Sequence, residues 1–205
     1  MRRFVMCLAV CLTATGCAGQ YVWAPDEKVE AVRYVSPEPP SLTLLTMVNN
    51  ETGAGGHSGL MINASERVIF DPAGTLTHPT FVERNDVLYG VTPSFLDFYT
   101  RAHARKTHHV VIQKIEVSPQ IAEQAFALAR ERGPVAPALC ANSTSGLLSQ
   151  LPGFGTISTT FSPIKLMEQF RGLPNVDEQA LFEYDDPDKT NALRAYVAGR
   201  TAQAN

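Results

Sequence analysis

Long apolar runs are scarce in this sequence. The one near the start, Phe4 to Leu12, is too short to stay in a bilayer as a spanning helix, and no second one follows. Basic runs are also missing. The formal charge of −3, with no patch of interleaved Lys, Arg and aromatics, excludes an obvious nucleic-acid or polyanion binder. No internal repeat is visible. There is no Gly-rich phosphate loop before a Lys-bearing helix and no dinucleotide fingerprint, so any chemistry is expected to need no cofactor. NNETGAGGH (Asn49–His57) is rich in glycine but leads into a strand, so its glycines are read as backbone freedom beside His57. His103, His108 and His109 lie close in sequence without His-x-x-x-His or Cys-x-x-Cys spacing, so no metal site is expected. His103, between Arg101 and Arg105, is read as lying on an exposed helix face.

What is there begins with the leader, MRRFVMCLAVCLTATGC. Arg2 and Arg3 give a positive start, an apolar core follows, and Ala14-Thr15-Gly16 are small residues before Cys17. This resembles the lipobox of bacterial lipoproteins, with Ala14 where Leu is usual. The resemblance implies cleavage before Cys17, a lipidated Cys17, and a protein held on the membrane of the cell envelope by its acyl chains. With Ala18 rather than aspartate after the cysteine, sorting to the outer membrane, facing the periplasm, is implied. An ordinary signal peptide cleaved nearby is the alternative. The implied organisation is a signal peptide over 1–16, a lipidated cysteine and Pro-rich tether over 17–40, and a domain over 41–205. About 190 residues remain after cleavage, enough for one domain with a real core.

Cysteine is the informative scarcity. There are four; Cys7 and Cys11 would leave with the leader and Cys17 would be acylated, so Cys140 remains alone, with no disulfide partner in the chain. A free thiol in an exported protein is open to oxidation, so its presence asks for a reason. The plain reading is a small buried side chain; the other is a reactive thiol.

The elements follow from local chemistry. SLTLLTMVN (Ser41–Asn49) and HHVVIQKIEV (His108–Val117) are strands by their apolar and β-branched content. SGLMIN (Ser58–Asn63) and RVIFDPAG (Arg67–Gly74) flank Ala64-Ser65-Glu66 and form a hairpin. Thr92-Pro93, Ser118-Pro119, Ser162-Pro163 and Asp186-Pro187 each set a capping oxygen before a proline, which starts a helix. Ile121, Ala122, Ala125, Phe126, Leu128 and Ala129 then supply an apolar face, and Gly133-Pro134 ends that helix. The expected fold is α+β, a small and largely antiparallel sheet packed with helices.

Two segments could carry chemistry. In GGHSGLMI, His57 enters a strand; Asp71 lies near the far end of the returning strand, where hairpin geometry makes the two neighbours. Locally each has a plainer role, His57 as a loop residue and Asp71 as a turn former before Pro72. In PALCANSTSGLLSQL, Cys140 is placed in the first turn of a helix, whose dipole and free amides favour a thiolate. Ser143 or Thr144 and Leu147 share its face, and small residues there would let the helix approach the sheet.

The order of a loop histidine, strand, hairpin with a polar residue, helix, strand, helix and helix-borne cysteine resembles the circularly permuted branch of the NlpC-type papain-like fold, which includes lecithin retinol acyltransferase-like proteins and bacterial amidases. The resemblance covers roughly residues 41–172, taking ISTTFSPIKLMEQF as a closing strand and helix. It implies Cys140 as nucleophile, His57 as base and Asp71 as third member. It also implies a hydrolase or acyltransferase acting on a cell-wall peptide amide or a lipid acyl ester. The alternative is a non-enzymatic envelope lipoprotein that binds a peptide or a partner protein on the same fold.

Overall fold

The computed structural model describes residues 19, 21–74, 76–183 and 186–204; Cys17 and its leader lie outside them. The fold is α+β. Among the described residues it has six helices and an open seven-stranded antiparallel sheet, larger than the small sheet expected. The strands are β1 (Ser41–Asn49), β2 (Gly55–Asn63), β3 (Arg67–Phe70), β4 (Val82–Arg84), β5 (Val87–Tyr89), β6 (His108–Glu116) and β7 (Asp177–Leu181), in the spatial order β4-β5-β3-β2-β1-β6-β7. The helices are α1 (Asp26–Val32), α2 (Pro93–His103), α3 (Pro119–Glu131), α4 (Cys140–Leu148), α5 (Pro163–Arg171) and α6 (Lys189–Ala204). None is long and apolar enough to cross a membrane among the described residues.

Central β1 is buried along nearly its whole length because helices cover both faces of the sheet. That is why SLTLLTMVN lacks the strict alternation of a half-exposed strand. On one face Leu42, Leu44, Leu60 and Ile62 pack under α3, α4 and α5, with Phe126, Leu148, Leu166 and Phe170. On the other, Leu45, Met47, Met61 and Ile69 pack under α2 with Phe95, Phe98 and Tyr99. Each fully buried leucine contributes about 2 kcal/mol of transfer free energy.

The proline-linked caps form as the chemistry dictates. Thr92, Ser118 and Ser162 accept from the amides of Phe95, Ile121 and Lys165, with proline opening each helix. Gly133 adopts φ 71° just past α3, the left-handed turn that ends a helix. At the fourth site the helix starts later than the proline: the Asp188 side chain accepts from Thr190 and α6 opens at Lys189.

Three departures from the sequence reading have physical causes. Residues 21–40 are not a free Pro-rich tether: α1 forms there, Val29 and Val32 pack on the core, and Asn63 Nδ2 donates to the Glu38 and Pro39 carbonyls. Ile157–Phe161 is not a strand; its backbone is claimed by α4 and α5, with Ser145 Oγ accepting from Thr160 N–H at 3.0 Å and Gln169 Oε1 from Ser158 N–H at 2.6 Å. And β7, DEQAL, is an edge strand with almost no buried residue, recruited by pairing with β6 rather than by its own pattern.

Candidate active site

The hairpin β2–β3 sets up the first half of the site. Pairing runs from Asn63↔Arg67 to Leu60↔Phe70, and then β3 stops. Asp71 follows immediately, its amide donating to the Asp86 carbonyl at 2.7 Å. On β2 the next residues toward the amino end, Gly59, Ser58 and His57, remain paired with β1 but have lost their other neighbour. The sheet therefore has a notch beside residues 57–59.

His57 shares the sheet face of Gly59 and Met61, the face covered by α2. Its Nε2 lies 2.7 Å from Asp71 Oδ1. The same oxygen accepts from the Tyr99 hydroxyl at 2.6 Å. Tyr99 projects from the buried side of α2, and one turn on, half-buried His103 packs against it with ring centroids 4.5 Å apart. His103 Nδ1–H donates to the Tyr99 carbonyl at 2.8 Å. So His103 is not on an exposed face as its flanking arginines suggest; it lines the same pocket as His57, with the rings 6.2 Å apart.

Gly59 makes this assembly possible. A Cβ there would come 2.8 Å from the Tyr99 oxygen and 3.5 Å from Asp71 Oδ1. Gly59→Ala is therefore expected to push Tyr99 off Asp71 and to cost about 1–3 kcal/mol of stability, as overpacking does. A thermal melt checks the cost, and retention of wild-type stability would contradict this packing.

The second half comes from the opposite face. Helix α4 packs against β2 there, and Ala141, Thr144 and Ser145, all buried and small, permit a close approach. Cys140 is its first residue, after a turn in which Ala138 takes φ 67°. No side chain caps this helix, so the amides of its first turn are not claimed by a capping group. The thiol stands close enough to the His57 ring and to the Ser58 main-chain amide for both to favour its thiolate. With Nε2 on Asp71, Nδ1 is the His57 nitrogen left for the sulfur. The Ser58 hydroxyl adds a weaker contact to the sulfur and has no partner of normal geometry. His57 and Cys140 thus belong to opposite faces of the sheet and still meet, because β3 ends one residue before Asp71.

The electrostatics of the group are self-consistent. Burial opposes charge on His57, but the Asp71 carboxylate and the Cys140 sulfur outweigh it and raise the imidazole from 6.5 to about 10. Burial pushes Asp71 up, yet His57, His103 and the Tyr99 hydroxyl together hold it down at about 2. Burial likewise opposes a Cys140 thiolate, but the His57 ring and the Ser58 amide hold the thiol below its ordinary value. Burial keeps His103 neutral, down at about 4, despite Asp71. Burial and Asp71 push Tyr99 well above its ordinary range, so its hydroxyl keeps its proton and donates it to the carboxylate. The group thus holds a charged Asp71 beside a His57 that favours the imidazolium, and that imidazolium lowers the Cys140 thiol toward the thiolate.

All three residues singled out from sequence, Cys140, His57 and Asp71, are brought together. Tyr99 and His103 were missed. Tyr99 had a readable signal: it lies on the apolar face of α2 with Phe95, Phe98 and Ala102, where a buried hydroxyl needs a partner. The site is nearly closed, with His57 15% and Cys140 7% exposed, and the cavity of about 220 Å³ beside it is lined by His57 and not by Cys140. Among the described residues no group of three or more His, Cys, Asp and Glu is placed to hold a metal ion.

No family model, curated protein or solved structure matches this chain.

Proposed function

We infer that the protein is a thiol hydrolase or acyltransferase of the permuted papain-like kind. The observation that carries this reading is the convergence of three residues remote in sequence: Asp71 on His57 Nε2 at 2.7 Å, and Cys140, at the start of α4, near enough to the same ring for His57 to lower its thiol. In the reaction the Cys140 thiolate attacks the carbonyl carbon of an amide or ester, forming a C–S bond. Amides of the first turn of α4 are suited to receive the developing oxyanion. The His57 imidazolium gives its proton to the departing nitrogen or oxygen as the C–N or C–O bond breaks, leaving a thioester on Cys140. His57, now neutral, takes a proton from water or an acceptor alcohol as its oxygen attacks the thioester; the C–S bond breaks, the acid or new ester leaves, and the Cys140 thiolate is restored beside a protonated His57. Asp71 holds the ring in place and stabilises its charge, and Tyr99 holds Asp71.

The substrate class is a cell-wall peptide amide or a lipid acyl ester. Turnover assays with peptidoglycan fragments and with acyl esters test this directly, and one of the two classes should be cleaved. The closed site is the specific observation that favours a second reading, a non-enzymatic lipoprotein binding a peptide or partner. Failure of both substrate classes together with an unreactive Cys140 would establish that reading instead.

The lipobox-like Ala14-Thr15-Gly16-Cys17 makes the protein an exported lipoprotein of the envelope, anchored through Cys17. Mass spectrometry of the mature amino terminus should find a diacylated Cys17, and Cys17→Ser should abolish the modification. An unmodified terminus at another residue would remove the anchor from the account.

A further inference from the structure

Two of the most exposed large apolar side chains among the described residues are neighbours. Tyr21 is 69% and Trp23 52% exposed, and their rings stack with centroids 6.2 Å apart and an interplanar angle of 5°. They are not loosely held. Trp23 bridges to Arg84 at the edge of β4, and the Ala24 amide donates to the Glu83 carbonyl at 3.0 Å. Asn85 N–H donates to the Val22 carbonyl at 2.9 Å, and the Arg84 guanidinium lies 4.7 Å over the indole while its Nε donates to the Ala24 carbonyl. A rigid backbone thus presents two rings to the outside.

Chain length limits what can lie beyond them. Gly19 already touches the domain: a Cβ there would come 2.6 Å from the Pro134 carbonyl carbon. Cys17 is two residues earlier, a reach of at most about 7 Å, and Trp23 is six residues on, a reach of about 20 Å. An anchor on Cys17 has no tether long enough to hold the domain clear of the lipid. Tyrosine and tryptophan are the side chains that settle at the membrane–water boundary, with ring in the acyl margin and polar edge in the headgroups.

We propose that the face carrying Gly19, Tyr21 and Trp23 is a membrane seat, lying against a phospholipid bilayer with both rings in its interface. The proposal rests on lipidation of Cys17. It fixes the orientation of the domain, because Gly19 packs on Pro134 and Val135, the segment that leads through residues 136–139 into Cys140. The loop before the nucleophile is then held beside the bilayer.

Trp23 is the only tryptophan in the chain, so its fluorescence reports on this surface alone. The full-length lipidated protein is reconstituted into phosphatidylcholine vesicles with plain or brominated acyl chains, and Cys17 acylation is verified by mass spectrometry on the same sample. Emission should fall about twofold or more in brominated vesicles, since bromine quenches an indole at the interface. Equal emission in both vesicles from protein that is acylated and floats with them overturns the seat and leaves the anchor standing. A mature terminus without acyl chains overturns both.

Discussion

Cys140→Ala is expected to abolish turnover of whichever substrate class the wild type accepts, by about 10⁴-fold or more, because no other nucleophile takes its place. The variant should fold. Cys140 is 7% exposed and sits at the start of α4 among small buried side chains, so alanine keeps the helix and most of the packing. A circular dichroism melt close to that of wild type, beside a lost rate measured on peptidoglycan fragments or acyl esters, separates chemistry from unfolding. Activity that persists in purified Cys140→Ala protein would refute a covalent thioester.

His57→Ala is expected to slow turnover by about 10²–10⁴-fold. Two functions are lost together. The imidazolium that holds the Cys140 thiol down is gone, so burial raises the thiol with only Ser58 left to oppose it. The proton donor for the leaving group is gone as well. The wild-type rate should rise with pH as Cys140 ionises, below the ordinary thiol range, and fall as His57 loses its proton near 10. The variant should lose the alkaline fall, because the group responsible for it is absent. A pH–rate profile for each protein decides this. An alkaline limb that survives in His57→Ala would assign it to another group.

Much of this site was legible before the structure, for identifiable reasons. Hairpin pairing depends on local pattern, and SGLMIN and RVIFDPAG around Ala64-Ser65-Glu66 placed Asp71 beside His57. Caps such as Ser118-Pro119 act within a few residues, so α2, α3 and α5 were predictable from their first turns. What was hidden is tertiary. No local pattern says that β3 ends one residue before Asp71 and leaves the notch through which Cys140 meets His57. His103 looked exposed because its neighbours Arg101 and Arg105 are charged, yet Arg105 is itself buried and His103 packs on Tyr99. The stretch 21–40 looked like a tether because prolines stiffen it, but a stiff segment can also lie along a domain, and Val29 and Val32 hold it there. DEQAL became a strand only because β6 offered it an edge.

The proposed thiolate–imidazolium pair of Cys140 and His57 is read from the rate of Cys140 alkylation against pH. Cys17 as the acylated residue leaves Cys140 as the one thiol of the mature chain, so a small electrophile such as iodoacetamide reads it without ambiguity. The wild type should react near neutral pH, with a midpoint below the ordinary thiol value of 9.0, and His57→Ala should move that midpoint upward. A Cys140 that stays inert to alkylation below pH 9, or a midpoint that His57→Ala leaves unmoved, would contradict the pair.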